Sequence, residues 1–190
     1  MPKLKVNAST VVFLIGLFVY CDTLSTLLLV FCVLCHEAGH ILAAFTLGVK
    51  IKSVRFNLFG ARIELESSLE SYLFEFFIAL SGPAANITLG TLGIIFDDGR
   101  MNLFVCINFA LAFVNLLPIS TLDGGRVVCS LASHILGADS ADKLLRFTSA
   151  SVIVILWGVS IFLWFSFEKN ISLFVFCLYL FYSLIIKRDY

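Results

Sequence analysis

The chain has 190 residues, 60% of them hydrophobic and 14% charged, with a mean hydropathy of +1.02. That apolar fraction exceeds the needs of a soluble core, and runs of roughly 18 to 20 apolar residues, enough to cross a bilayer, recur along it, so it reads as a polytopic membrane protein. Thirteen basic residues balance thirteen acidic ones with no basic stripe or aromatic-interleaved patch, which argues against a nucleic-acid partner.

A first span is expected over Val6 to Cys21, uncleaved, because Lys3 and Lys5 precede it as in a signal peptide but no A-x-A site follows. The second covers Leu24 to Leu47. Val49 to Glu66 then alternates apolar with polar or charged residues on both sides of Gly60, the period of a β-hairpin. A third span, Tyr72 to Phe96, is interrupted by S-G-P-A-A-N at Ser81 to Asn86. After a polar turn at Asp97 to Arg100, a fourth begins at Met101 and runs into N-L-L-P-I-S-T-L-D-G-G-R-V at Asn115 to Val127, where Pro118 and the Gly124-Gly125 pair should break the helix. Val128 to Leu136 reads as a short helix, Gly137 to Arg146 as a polar loop or interfacial segment, and Phe147 to Phe167 and Ile171 to Ile186 as the last two spans. The expected fold class is an all-α polytopic membrane protein of about six transmembrane helices with a small β-hairpin or sheet after the second. One domain is expected over residues 1–190, with core motifs in 24–129, the hairpin in 49–66 and C-terminal helices in 147–186.

Lysine and arginine placement sets the orientation. Both termini, the hairpin and the loop after the fourth span collect Lys3, Lys5, Lys50, Lys52, Arg55, Arg62, Lys143, Arg146, Lys187 and Arg188, against Arg100 and Lys169 opposite. Both termini are expected in the cytoplasm, in a multi-pass protein of a bacterial cell membrane.

The second span carries F-C-V-L-C-H-E-A-G-H, an ionisable cluster inside an apolar run and therefore a functional site by default. His36 and His40 stand four apart, so a helix projects both imidazoles from one face. With Glu37 they complete H-E-x-x-H, two zinc ligands and a carboxylate suited to general-base work, which implies metal-assisted hydrolysis. Zinc in such a site takes three protein ligands. Asp123 is the expected third, because an aspartate at the end of a span is costly and the glycines beside it give the backbone freedom; pairing with Arg126 is the plainer alternative. With the expected topology, His36, His40 and Asp123 share a depth near the cytoplasmic face. His134, the remaining histidine, reads as interfacial. Cys32, Cys35, Cys106, Cys129 and Cys177 lie in apolar runs, where cysteine packs as a small hydrophobe; Cys21 lies at the edge of one.

Taken together, H-E-A-G-H on an early span, G-P-A-A-N on the next and N-L-L-P-I-S-T-L-D-G-G-R-V on a later one resemble the site-2 protease family of intramembrane zinc metalloproteases, in the compact form typified by the stage IV sporulation protease FB. The resemblance implies that His36, His40 and Asp123 hold one zinc ion per chain and that Glu37 is the general base. It places Asn86 beside the active site to bind substrate or stabilise the oxyanion, supported by Gly82, Pro83, Asn115, Pro118 and Gly124. Ser120 departs from the family, many of whose members carry a second proline there. Neither a CBS nor a PDZ domain is expected. The partners implied are a membrane-protein substrate, such as a sigma-factor precursor or an anti-sigma factor, regulatory membrane proteins and the bilayer. Since a helical peptide bond is shielded, the hairpin edge is expected to pair with unwound substrate. A transporter or a zinc-binding structural membrane protein is the competing class; inverted repeats, which a transporter would carry, are not evident.

Overall fold

In this computed structural model the structure describes residues 3–6, 22–49, 51–57, 60–65, 72–96, 102–166 and 171–186. In chain order the elements are β1 (Lys3–Val6), α1 (Thr23–Thr46), β2 (Ile51–Asn57), β3 (Gly60–Leu65), α2 (Tyr72–Phe96), α3 (Asn102–Asn115), α4 (Asp123–Leu136), α5 (Ala138–Ser166) and α6 (Ile171–Ile186). They form two compact units, Met1–Asn115 and Leu116–Tyr190.

In the first unit, α1 starts at Asp22, whose carboxylate accepts from the Ser25 backbone N–H at 2.9 Å, an N-cap that satisfies one of the helix's orphan donors. It stops at Gly48, whose φ of +70° takes the chain out of the helix while its N–H donates to Phe45 O. Among its buried residues Cys32, His36, His40 and Ala44 recur every four positions, so a single stripe faces inward while Phe31, Leu34 and Phe45 point outward. The inward face of α2 carries Ile78 and then a matching stripe of small or short residues, Ala79, Gly82, Pro83, Asn86, Gly90 and Gly93. Small residues let helix backbones approach closely where no hydrophobic effect drives association. A Cβ on Gly39 would lie 2.7 Å from Ser81 O, and one on Gly93 would lie 2.8 Å from Val105 Cγ2 on α3. In the second unit, Ile119, Ile153 and Leu180 form the core, with Leu117, Leu122 and Trp157 packed against it.

The expected class is corrected on two points. Among the described residues three helices are long and apolar enough to cross a membrane, Thr23–Thr46, Tyr72–Phe96 and Ala138–Phe165, in place of about six; Asn102–Asn115 is shorter. Of the expected Val6 to Cys21 span only Val6 is among the described residues, as the last residue of β1. Nor is the inserted element a free-standing hairpin. Strands β2 and β3 pair antiparallel, but β1 runs parallel along the other side of β2, giving a three-stranded sheet in the order β1-β2-β3. Four residues are too few to show a period, so β1 was legible only as a basic flank.

Three expected breaks also move. The helix α2 is continuous through Pro83, and Gly124 and Gly125 lie inside the first turn of α4. The expected loop at Gly137 to Arg146 is helical from Ala138 on, its Asp139/Lys143 and Asp142/Arg146 pairs standing four apart with the acid first, the favourable order on a helix. Only Gly137, at φ +84°, separates α4 from α5. The break at Pro118 is present, and it uses the residue that departs from the family: Ser120 N–H donates to Ser149 Oγ at 3.0 Å, and Ser149 Oγ donates to Pro118 O at 3.3 Å. A proline at position 120 would have no N–H to give.

Candidate metal centre

His36 and His40 come from one face of α1, and their Nε2 atoms lie 3.2 Å apart with the rings edge to face. Each ring is held from behind. His40 Nδ1 lies 2.6 Å from Ile78 O, one turn before the α2 proline. A carbonyl only accepts, so this nitrogen carries the proton and Nε2 presents a lone pair. His36 Nδ1 lies 2.6 Å from Asn86 Oδ1. The orientation of that amide is fixed on its other side, where Asn86 Nδ2 donates to Cys32 O at 3.2 Å and to Asn108 Oδ1 at 2.8 Å. His36 therefore also donates from Nδ1, and its Nε2 turns a lone pair toward His40. Two such lone pairs facing each other at 3.2 Å repel unless a proton or a cation lies between them.

A metal ion fits this arrangement. His36 and His40, in the first unit, turn two buried imidazole nitrogens to one place, and Asp123, the expected third ligand, belongs to the second unit. Both histidines are buried, at 4% and 3% exposure. The floor is Gly82: a Cβ there would collide with His40 Nε2 and lie 2.8 Å from His36 Nε2, so a hydrogen is all that α2 can place beneath the two nitrogens. Nitrogen and carboxylate donors in a set of three suit zinc, and holding each imidazole by its other nitrogen fixes the tautomer needed for ligation.

Asp123 is the first residue of α4, where the helix N-terminus favours a carboxylate. One of its oxygens lies 3.6 Å from Arg126 Nη1, so the expected alternative, an ion pair with Arg126, is present. Gly124 and Gly125 serve close approach and not backbone freedom: a Cβ on Gly124 would strike the Leu116 carbonyl, and one on Gly125 the Ile119 carbonyl, so α4 starts pressed against the segment that leads into it. Glu37 is buried, at 6% exposure, next to His36 in sequence. Asn86 is fully buried and its amide is used in full by His36, Cys32 O and Asn108, which gives it a supporting place under His36 with no N–H turned toward an oxyanion. Asn115 ends α3, donating back to Leu111 O at 3.0 Å, and Pro118 lies in the non-helical link that follows. His134 is exposed in the last turn of α4. Cys32, Cys35, Cys106, Cys129 and Cys177 are free thiols.

One residue of this network escaped the sequence reading. Asn108 is fully buried in α3, linked to Asn86, to Phe104 O and to Cys32 Sγ. Its signal was an amide in the middle of an otherwise apolar helix, where an unsatisfied polar group is costly enough to demand a named partner.

The model of peptidase family M50 matches residues 24–97 and 99–159. A presumptive zinc metalloprotease from Synechocystis is 36% identical over 124 residues, 60% of this chain and 32% of that protein. Stage IV sporulation protein FB of Bacillus subtilis is 34% identical over 126 residues, 62% of this chain and 43% of its own length. This chain thus spans less than half the length of these curated relatives. The solved site-2 protease from Methanocaldococcus jannaschii superposes with a TM-score of 0.68 at 23% identity, over 95% of this chain and 88% of that one, a likeness of fold. The three bilayer-length helices and the family match make this an integral membrane protein. With the family model covering both the histidine helix and the Asp123 segment, the chain belongs to peptidase family M50.

Proposed function

We propose that the chain is an intramembrane zinc metalloprotease that hydrolyses peptide bonds in or near the transmembrane segments of membrane-bound substrates. The observation that carries the reading is the pair of buried imidazoles of His36 and His40, their Nε2 atoms 3.2 Å apart and each ring held by its Nδ1, in a chain whose family match also covers the Asp123 segment. In this reading those three residues hold the ion and Glu37 is the catalytic base. Zinc, when bound, supplies Lewis acidity toward a peptide carbonyl and toward water. Glu37 takes the proton of the attacking water and passes it to the leaving amine as the C–N bond breaks. Asn86 and the Ile78 carbonyl keep the two imidazoles in the ligating tautomer throughout. Gly82 keeps the space clear, and the Gly124-Gly125 turn seats Asp123.

The lysine and arginine bias supports cytoplasmic termini and a site toward the cytoplasmic side. The substrate bond then lies near that face of the bilayer, as in a membrane-tethered transcription regulator, a sigma-factor precursor or an anti-sigma factor; regulatory membrane proteins are further partners. The similarity to a sporulation protein makes sporulation one setting for such substrates.

Co-expression of candidate single-span substrates with wild type and with Glu37→Gln tests the reading. The variant should retain zinc and lose cleavage by at least about a hundredfold, the scale of a general base. Equal processing by both proteins would refute the assignment of the base, and a zinc-free wild type would refute the metal. Cysteines introduced near His40 should react with a membrane-impermeant reagent from the cytoplasmic side only.

A further inference from the structure

We propose that Asn108 is a positioning residue for His36, selecting through Asn86 the tautomer in which His36 ligates the metal; this rests on the reading of His36 as a zinc ligand. The amide of Asn108 has one allowed orientation, because its Nδ2 donates to Phe104 O at 2.9 Å, which only accepts, and to Cys32 Sγ at 3.2 Å. Its Oδ1 is thereby turned to Asn86, from which it accepts at 2.8 Å. That bond holds the Asn86 amide with its oxygen toward His36. Without it, Asn86 Nδ2 keeps only the longer bond to Cys32 O at 3.2 Å. A half-turn of the Asn86 side-chain amide would then present an N–H to His36 Nδ1, the proton of the imidazole would move to Nε2, and the ligating lone pair would be gone. Asn108, Asn86 and His36 thus form a relay from α3 through α2 to α1, with both asparagines fully buried.

Two measurements on the full chain in nanodiscs test this. Zinc affinity is read by competition with a chromophoric chelator. The protonated nitrogen of His36 is read by ¹⁵N-histidine NMR of the zinc-free protein, where three histidines give an assignable spectrum. Asn108→Leu, close in size but without an acceptor, should weaken zinc binding about tenfold, the low end for an outer-shell partner, and move the His36 proton toward Nε2. Asn108→Asp, as the protonated acid, keeps an acceptor oxygen for Asn86 and an O–H for the Phe104 carbonyl, and should stay within about threefold of wild type. Asn108→Ala, read the same way, replaces the leucine variant if that one does not accumulate. Wild-type affinity and an unchanged tautomer in Asn108→Leu would overturn the proposal, as would equal loss in the leucine and aspartate variants, which would mark a packing role. A wild type that binds no zinc would refute the reading beneath it, while the tautomer measurement would still decide the role of Asn108.

Discussion

Gly82 shows how little room the site leaves. Helix propensity alone favours alanine over glycine by about 1 kcal/mol, so Gly82→Ala would ordinarily stabilise α2. Its methyl group, however, would occupy the space where the two Nε2 atoms converge, and the rings cannot retreat because each is held from behind by a 2.6 Å bond. The variant should fold, hold less than about a tenth of the wild-type zinc, as loss of ligand geometry typically costs, and cleave nothing. Metal analysis of purified protein checks this, and full zinc occupancy would show that the floor is not where the ion binds. The histidine motif was legible in the sequence because its spacing of four is a local property of one helix. The reason for Gly82 and the part played by Asn108 were not, because both arise where helices distant in sequence meet: the His36–Asn86 bond joins residues 50 apart. An interruption such as G-P announces a special place on a helix without saying what faces it.

At the scale of the element, the glycines of α4 and α5 make opposite demands. Gly124 and Gly125 are inside a helix at φ values any residue adopts, yet a Cβ on either would overlap backbone carbonyls that have no rotamer to move aside. Gly158, in α5, has open space around it. Overpacking at 1–3 kcal/mol outweighs a propensity gain of about 1 kcal/mol, so Gly124→Ala should lower the melting temperature in detergent and reduce zinc content by displacing Asp123. Gly158→Ala should do neither, and similar melting shifts in both would sink the argument from contact. A separate prediction concerns the start of α1. The Ser25 side chain, then its backbone N–H, holds the Asp22 carboxyl below its ordinary pKa of 3.8. A depressed folded-state pKa means that the capping contribution is complete above the unfolded value and disappears as pH falls through the folded one. Zinc-free Asp22→Ala should therefore melt below wild type at neutral pH, with the difference closing once the solution is more acidic than about pH 4. A gap that persisted unchanged in acid would mean that the carboxylate is not the cap.

On the scale of the whole molecule, composition announced the membrane and the motif order announced the family, but neither fixed how many helices cross the bilayer. Hydropathy counts apolar residues, and it cannot distinguish a helix that spans from a shorter one enclosed among others, as α3 lies against α1 and α2 with Asn108 and Ala112 buried. It was equally blind to β1, whose pairing with β2 joins segments about 50 residues apart. What the fold does determine is how the protein should answer removal of its metal. A zinc-binding structural protein loses its fold with the ion, because ligation is then its folding energy. Here the helices satisfy their own backbone hydrogen bonds, as lipid requires, and the rings of His36 and His40 are already fixed by Asn86 and Ile78 O. Chelation should therefore abolish cleavage while leaving far-UV helicity unchanged and the melting temperature lowered only by the lost binding energy, about 4 kcal/mol at a zinc concentration a thousandfold above its Kd. Adding zinc back should restore cleavage without a refolding step. Loss of helical signal on chelation would instead assign the ion a structural role, and with it the competing class of zinc-binding membrane protein.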